Sequence, residues 1–497
     1  MSRHASRSVR RAPILAAIVA VLVAGGLVDR AGGSARPSSV TTGIVEPMPV
    51  AAPPAALSSS WFCAGANSNA AVPLPGRVVI ANDSARAVKA TVRVVASSSQ
   101  PRTVAVSVAP FGSASVPETA QGPSQWVGAI VSVDGGSVGV DQVVEGPLGR
   151  SVTPCATSGS QHWYFPSGQT RVNADEAIVL LNPYGTDSIV DLSFSTDQGI
   201  EAPQNLQGID VPAHGLVGVD LRSELRRRTS IAVTASARTG SVVAWQSSWV
   251  APPPPGAPLV GTAAANAPLA DPALPVTGSM VMLGAPSAGR SWSWPDGLAG
   301  NGIDERYVVY NPGPQSAKVR LSIGLQQGSA EPLSVDVGPY QAVPIVSEQQ
   351  ARIPAGVAHT ATLTSVNGVP VVATRTVTAS AAQAPGGARS GLGQLLGSRL
   401  SARDWLLPAT MTGKAHQGHV VIANGGATAV QVQVAPPAAA PAGGNRESVP
   451  AGGRLDLTLP SGTDGPLEIR SSGPVVVEYD LYGSKAGVSL SLGIPLS

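Results

Sequence analysis

Residues 76–94 read GRVVIANDSARAVKATVRV, and residues 418–434 read GHVVIANGGATAVQVQV. The core VVIAN is written twice, more than three hundred residues apart. Each copy runs into a small polar turn and then into alternating Val and Ala, the period-two pattern of a strand. Two diverged relatives lie between them: EAIVLLNPYGTDSIVDLSF at 176–194 and ERYVVYNPGPQSAKVRLSI at 305–323. In all four a strand ends in Asn, at Asn82, Asn182, Asn311 and Asn424. Asn bonds its own turn and tolerates left-handed backbone angles, which accounts for its place at a strand end.

The correspondence extends downstream. Each copy carries an apolar–Pro–small–Gly–apolar stretch, among them SVAPFGSASV and ESVPAGGRLDLTL. Each then closes with a hairpin: AIVSVDGGSVGVDQVV (129–144), AVTASARTGSVVAWQSSW (232–249), ATLTSVNGVPVVATRTV (361–377) and LEIRSSGPVVVEYDLY (467–482). Asp134-Gly135 and Asn367-Gly368 are hairpin signals. Upstream, each copy opens on Trp, at Trp61, Trp163, Trp292 with Trp294, and Trp405. About seven short strands with regular turn signals predict an immunoglobulin-like sandwich. A propeller blade needs only four strands in about 40–50 residues, half of this repeat.

The expected fold is therefore all-β: four tandem immunoglobulin-like β-sandwich modules after an N-terminal signal or anchor helix. The divisions read from composition are a signal or anchor over 1–30, a Pro/Ser-rich stalk over 31–58, and module 1 over 59–158. Module 2 spans 159–252, a Pro-rich linker 253–288, module 3 289–383, a second linker 384–402 and module 4 403–497. Pro254-Pro255 favours a semi-rigid spacer, and the second linker has room for a helical turn. Modules 1 and 2 abut closely, and Leu221–Arg228 is the best helix candidate.

Composition agrees with this reading. Charged residues make up 12%, aromatic residues 4%, and the chain holds 56 Gly and 45 Pro. Cores must be built from small and branched aliphatic side chains, which favours small modules. A net charge of +2 over 497 residues argues against nucleic acid as a partner.

Arg3, Arg7, Arg10 and Arg11 precede an apolar run from Ala12 to Val28. The basic flank should stay cytoplasmic, so the chain beyond the apolar run is exported. Residues 12–28 would hold the chain in the cytoplasmic membrane, or the protein is secreted if this signal is cleaved. Only two cysteines occur, Cys63 and Cys155, at the two ends of module 1. In an exported chain this pattern points to a disulfide, the alternative being two buried free thiols.

The apolar strand, Asn-Pro-Gly-like turn, Val-Pro-small-Gly turn and final Gly-x-Val-Val run resemble an uncharacterised family of exported actinobacterial proteins. The resemblance covers nearly all of the exported part. It implies single-span envelope proteins with repeated immunoglobulin-like β modules, and it brings no catalytic residue with it.

No constellation of catalytic residues stands out. Gly135-Gly136-Ser137-Val138-Gly139 matches a nucleophile-elbow pattern, but the motif needs a helix after it and here it runs into a strand pattern. The run Gly391 to Gly397 has the wrong spacing for a dinucleotide loop. His416 and His419 lack a supporting carboxylate or Cys, so no metal or cofactor is expected. Asp175-Glu176 and Asp304-Glu305 fall at strand starts, where they would blunt sheet edges. Arg226-Arg227-Arg228 reads as a solvated face. The tryptophans that open each copy read as core anchors. Trp245 and Trp249 share strand parity and form the best candidate for an exposed ligand surface.

The expected function is non-enzymatic: an exported envelope protein acting as a structural scaffold or adaptor. Its partner would be an envelope protein or cell-wall glycan. The alternatives are a cell-wall carbohydrate-binding protein and an accessory subunit of a membrane enzyme of envelope glycan assembly.

Overall fold

Strands that alternate apolar and polar residues have one face that must be covered by another sheet. The computed structural model describes residues 48–67, 72–251, 277–325, 328–381, 389–438, 446–483 and 487–496. They are arranged as several antiparallel β-sheets, so the chain is all-β. The expected helix of residues 1–30 lies outside the described residues, as do residues 31–47 of the stalk and 252–276 of the Pro-rich linker. Among the described residues no helix is long and apolar enough to cross a membrane.

The first repeat holds β1 (Ser59–Asn67), β2 (Gly76–Asn82), β3 (Val88–Ala96), β4 (Arg102–Val108), β5 (Ser113–Pro117), β6 (Trp126–Val133), β7 (Val138–Gly146) and β8 (Gly149–Pro154). They form the sheets β1-β6-β3-β4 and β5-β2-β7-β8. The second repeat holds β9 (His162–Phe165), β10 (Ala174–Leu181), β11 (Ser188–Thr196), β12 (Gly199–Glu201), β13 (Ile209–Val211), β14 (Leu216–Asp220), helix α1 (Leu221–Glu224), β15 (Ile231–Thr239), β16 (Val243–Val250) and β17 (Gly278–Leu283). Its sheets are β12-β11-β15-β9, with β13 also on β11, and β14-β10-β16-β17.

The third repeat holds β18 (Ser291–Trp294), β19 (Ile303–Tyr310), β20 (Ala317–Leu325), β21 (Leu333–Val337), β22 (Ala342–Val346), β23 (His359–Ser365), β24 (Val372–Ala381) and β25 (Arg389–Leu396). Its sheets are β18-β23-β20-β21 and β22-β19-β24-β25. The fourth holds β26 (Ala402–Met411), β27 (His416–Ala423), β28 (Val430–Ala435), β29 (Glu447–Val449), β30 (Arg454–Thr458), β31 (Asp464–Gly483), β32 (Val488–Leu492) and β33 (Ile494–Pro495). The long β31 pairs first with β26 and β28 and then with β27 and β32, so it serves as both the sixth and seventh strand. Numbered within the repeat, the strand orders are 1-6-3-4 and 5-2-7-8 every time.

Three expectations are corrected. The paired runs that close each copy are not hairpins: β6 and β7 lie in different sheets, as do β15 and β16, and β23 and β24, while in the fourth repeat both runs belong to the one continuous strand β31. An Asp-Gly or Asn-Gly pair fixes a turn but not whether the strands leaving it pair with each other. The repeat also has an eighth strand. Residues 278–283 and 389–396, read as linker, are β17 and β25, each hydrogen-bonded to the seventh strand of its repeat. Within Leu221–Arg228 only the single turn α1 is helical, capped by the Asp220 side chain on Arg222 N.

The four Asn residues do more than bond their own turn. Asn311 Nδ2 donates to Gln315 O at 2.7 Å within its turn, and to Val337 O and Gly338 O at 3.1 and 3.0 Å in the turn after the fourth strand. Asn424 repeats this set on Thr428, Val449 and Pro450. None of the four has a positive φ. The left-handed residues sit in the partner turn, at Phe111, His214, Tyr340 and Gly452. Each Asn is thus a buried strap between two turns, which satisfies carbonyls that would otherwise be lost to solvent.

The repeats pack head to tail. The first strand of each lies on the second sheet of the next: β1 on β10 and β16, β9 on β24, β18 on β31, and β26 on β2 and β7. That last contact joins the fourth repeat to the first, so the set closes into a ring. The eighth strands meet at its hub, β8 on β17, β17 on β25, β25 on β32 and β32 on β8. Val152 N donates to Ser489 Oγ at 2.8 Å, and Thr153 Oγ1 to Val281 O at 2.7 Å. Glycine permits this approach: a methyl group on Gly278 would lie 2.4 Å from Leu392 N, and one on Gly391 2.8 Å from Val488 N. Four edge strands, each otherwise open to pairing with another chain, cover one another at the hub.

Candidate functional site

The seams between repeats use one register with four chemistries. Four residues past the opening Trp, the chain meets the seventh strand of the next repeat. Between repeats 1 and 2 this is Gly65 against Trp245 and Val281, an apolar contact. Between 2 and 3, Ser167 O accepts from Gln394 Nε2 at 2.9 Å, and Thr376 Oγ1 lies 3.4 Å from Ser167 Oγ. Between 4 and 1, Ala409 N–H donates to Asp141. Burial raises the Asp141 carboxyl to about 8, so it sits there as a neutral acid at neutral pH.

The seam between repeats 3 and 4 holds the densest cluster of buried charged groups among the described residues. Arg375 on β24 donates from Nη2 to Glu478 Oε1 on β31 at 2.6 Å, with Asp296 and Glu305 each 3.9 Å from its Nη1. Arg454 Nη2 bonds Asp296 Oδ1 at 2.7 Å. Tyr482 OH donates to Asp480 Oδ2 at 3.0 Å. Behind them, His359 Nε2 meets Glu305 Oε2 at 2.9 Å while His359 Nδ1 faces Val357 O at 3.2 Å. Both ring nitrogens thus face oxygen atoms, an arrangement that favours the protonated ring. Burial alone would push His359 down, but the Glu305 charge outweighs it and holds the ring above its usual range. Burial would raise Glu305, and His359 and Arg375 outweigh that and keep it low.

This cluster has acids and bases within reach of each other, which is what proton-transfer chemistry requires. It lacks access. Asp296, Glu305, His359, Arg375, Glu478 and Asp480 are all buried. Its geometry joins two repeats.

Smaller polar pairs recur inside the other repeats. Gln142 Nε2 donates to both oxygens of Glu118, at 3.0 and 2.8 Å, and Gln246 Nε2 to Glu176 Oε1 at 2.9 Å. Glu118 occupies the space left by Gly76, the residue equivalent to Glu176 and Glu305. Glu176 and Glu305 therefore do not blunt edges, as the sequence suggested. They lie on the central strands β10 and β19 and point inward.

The expected ligand surface is also corrected. Trp245 is 0% exposed and closes the seam between repeats 1 and 2, while Trp249 is half-buried beside it on β16. The two share parity, but at Trp245 the face they share is covered by Gly65 of the neighbouring repeat. Trp61, Trp163, Trp292, Trp294 and Trp405 are all buried, as core anchors should be. Trp163, Trp292 and Trp405 donate from Nε1 to Val242 O, Val371 O and Val475 O, the same backbone position in each repeat. Cys63 and Cys155 form the disulfide, joining β1 to the segment after β8 with Cα atoms 4.9 Å apart. Ser137 lies in the turn between β6 and β7 rather than before a helix. His419 is buried against Asp456 at 2.9 Å, and His416 does not join it: no group of three or more His, Cys, Asp or Glu among the described residues is placed to hold a metal.

The fold and this closed interior define an all-β repeat protein. The chain belongs to the DUF5719 family, a family of unknown function, which matches residues 135–388, just over half of its length. No curated protein matches. A crystal structure of Thermotoga maritima 1070 is 20% identical, covering 22% of this chain and 95% of that one with a TM-score of 0.20. Streptomyces avermitilis α-L-rhamnosidase complexed with L-rhamnose is 10% identical over 84% of this chain and 54% of its own, with a TM-score of 0.10. Scores this low carry no argument about fold or function.

Proposed function

We propose that the chain is a non-enzymatic exported envelope protein: four immunoglobulin-like β-sandwich modules closed into a ring that serves as a scaffold or adaptor. The observation that carries this reading is the closure itself. The densest cluster of buried charged groups among the described residues is spent on a seam between repeats, where it holds modules together and cannot meet a substrate. A protein whose polar interior is used for assembly is suited to holding other components in fixed positions. The Cys63–Cys155 bond supports export, because structural disulfides persist in oxidising compartments. Residues 12–28 would provide the tether to the membrane, with the ring outside. The glycan-binding alternative loses its strongest support with Trp245 buried.

The test is cross-linking of the tagged full-length chain in the cells that make it, followed by fractionation and mass spectrometry. The scaffold reading expects the chain in the envelope fraction with a recurrent envelope protein cross-linked to it. Recovery in the cytosolic fraction, with no envelope partner, would contradict it.

A further inference from the structure

Three of the four seams are crossed by the chain itself. The eighth strand of one repeat runs straight into the opening strand of the next, from β8 to β9 through 155–161, from β17 to β18 through 284–290 and from β25 to β26 through 397–401. The fourth seam joins the last repeat to the first, so non-covalent contacts alone hold it. Gly139 on β7 lies against Leu406, Pro408 and Ile494, and Val152 meets Ser489 at the hub.

A strap that belongs to neither repeat's sheets lies across this seam. Residues 48–56 precede β1 and form no strand. Ala51 N donates to Pro495 O at 2.9 Å on the fourth repeat, and Ala52 O accepts from Ser137 N at 2.9 Å on the first. Two consecutive residues thus bond the two sides of the seam. The Ala51 side chain is buried in the same apolar core as Ile494 of β33, and β33 is itself paired with β26. Gly136, beside Ser137 in the turn between β6 and β7, leaves room for the strap: a methyl group there would run into the Pro53 carbonyl.

The seam needs this support. Ala52 and Pro54 line a cavity of about 350 Å³ together with Asp83 of the first repeat and Asp404, Glu468 and Arg470 of the fourth. Three carboxyl groups share one guanidinium, and Arg470 is already bonded to Glu468 at 2.5 Å. Burial, and then Glu468 across the seam, raises the Asp83 carboxyl to about 7 against the pull of Arg470. Excess carboxylate on the two sides of a seam opposes closure, and the strap bonds both sides at this end. The strap is also able to leave. Pro53 and Pro54 have no N–H to give, and Pro53, Pro54 and Ala55 are exposed.

We propose that residues 48–54 are a latch: seated, they hold the ring closed between repeats 4 and 1, and the ring opens at this seam when they leave. The strap continues the stretch read as a stalk, so a load on the stalk reaches this seam before any other. The latch rests on the ring geometry and holds whether or not the chain is a scaffold.

The test is hydrogen exchange by mass spectrometry on the full chain, comparing the parent with two variants. Gly136→Ala places a methyl group in the path of the strap, and Gly136 lies outside the left-handed region, so the turn itself accepts Ala. Ala51→Asp puts a charge into the buried seat of the strap. The latch predicts exchange at least about tenfold faster in the strap and in β7, β26 and β33, with β16 and β24, at the first two seams, as protected as in the parent. A strap that exchanges freely while β7, β26 and β33 stay protected overturns the proposal and leaves a ring closed without a latch. Strap protection retained in both variants, or equal acceleration at all four seams, overturns it as well.

Discussion

Arg375 of the third repeat reaches Glu478 of the fourth with Nη2 and Oε1 2.6 Å apart, and both side chains are buried. Asp296 N adds a second bond to Glu478, on Oε2 at 3.2 Å. Glu478 therefore holds one partner from β24 and one from the loop after β18, so the two sheets of repeat 3 are both fastened to β31. Burial raises the Glu478 carboxyl to about 7, even against the pull of Arg375.

Breaking this pair should be expensive. Arg375→Leu leaves Glu478 and its acidic neighbours without their main counter-charge, and a loss of about 3–5 kcal/mol in chemical denaturation is expected. The double variant Arg375→Leu/Glu478→Leu should lose less than Arg375→Leu alone, because the uncompensated charge is removed with the second change. Equal losses would mean that the two groups do not act as a pair.

The protonated acids give a specific pH dependence. Loss of solvation raises Glu118 and Glu176 to about 8, against the effect of their hydrogen bonds. In the unfolded chain they titrate near about 4.3. Between these values the folded chain holds protons that the unfolded chain releases, so this contribution to stability is present at low pH and lost as pH rises toward 8. The variant Glu118→Gln/Glu176→Gln should flatten the fall in unfolding free energy between pH 5 and pH 8, and should gain on the parent at pH 9. The check is urea unfolding at several pH values.

Crowding at the hub predicts a contrast between two glycines. A methyl group on Gly278 meets backbone on β25, whereas one on Gly425 meets nothing within 4 Å. Gly278→Ala should cost about 1–3 kcal/mol as overpacking, and Gly425→Ala should be close to neutral. Thermal unfolding of the two variants reads the difference.

The disulfide ties the start of the first repeat to its end, across 92 residues. Cys63→Ala/Cys155→Ala should lower stability by about 4.6 kcal/mol, the value for a loop of this order in the chain-entropy model. Reductant should shift the parent toward the variant and leave the variant unchanged.

The repeat itself was legible in the sequence because it rests on local chemistry. The VVIAN strands, the Asn straps and the buried opening tryptophans all come from short-range pattern. The eighth strands were not legible in that way. GSMVML and GLGQLL lack strict alternation, since both of their faces are covered at the hub, and such runs look like linker when read one repeat at a time. Set side by side, four segments opening on Gly149, Gly278, Gly391 and Gly487 at corresponding places carry the signal. The seam between repeats 3 and 4 had a trace as well. Arg375 shares parity with Ala373 and Val377, both buried, so a charge stands where the pattern demands an apolar side chain. Trp245 was misplaced because parity tells which residues share a face, and only the neighbouring repeat decides whether that face is open.

The central claim is that the four repeats close into a ring, and hydrogen exchange by mass spectrometry on the full chain tests it most directly. Trp405→Ala empties the core of the fourth repeat, where Trp405 is buried against Val475 O. A closed ring predicts faster exchange in β7 and β8 of the first repeat as well as in β25 of the third, since both flank the damaged repeat. Faster exchange in the third and fourth repeats, with β7 and β8 unchanged, would contradict closure and describe an open row of repeats instead.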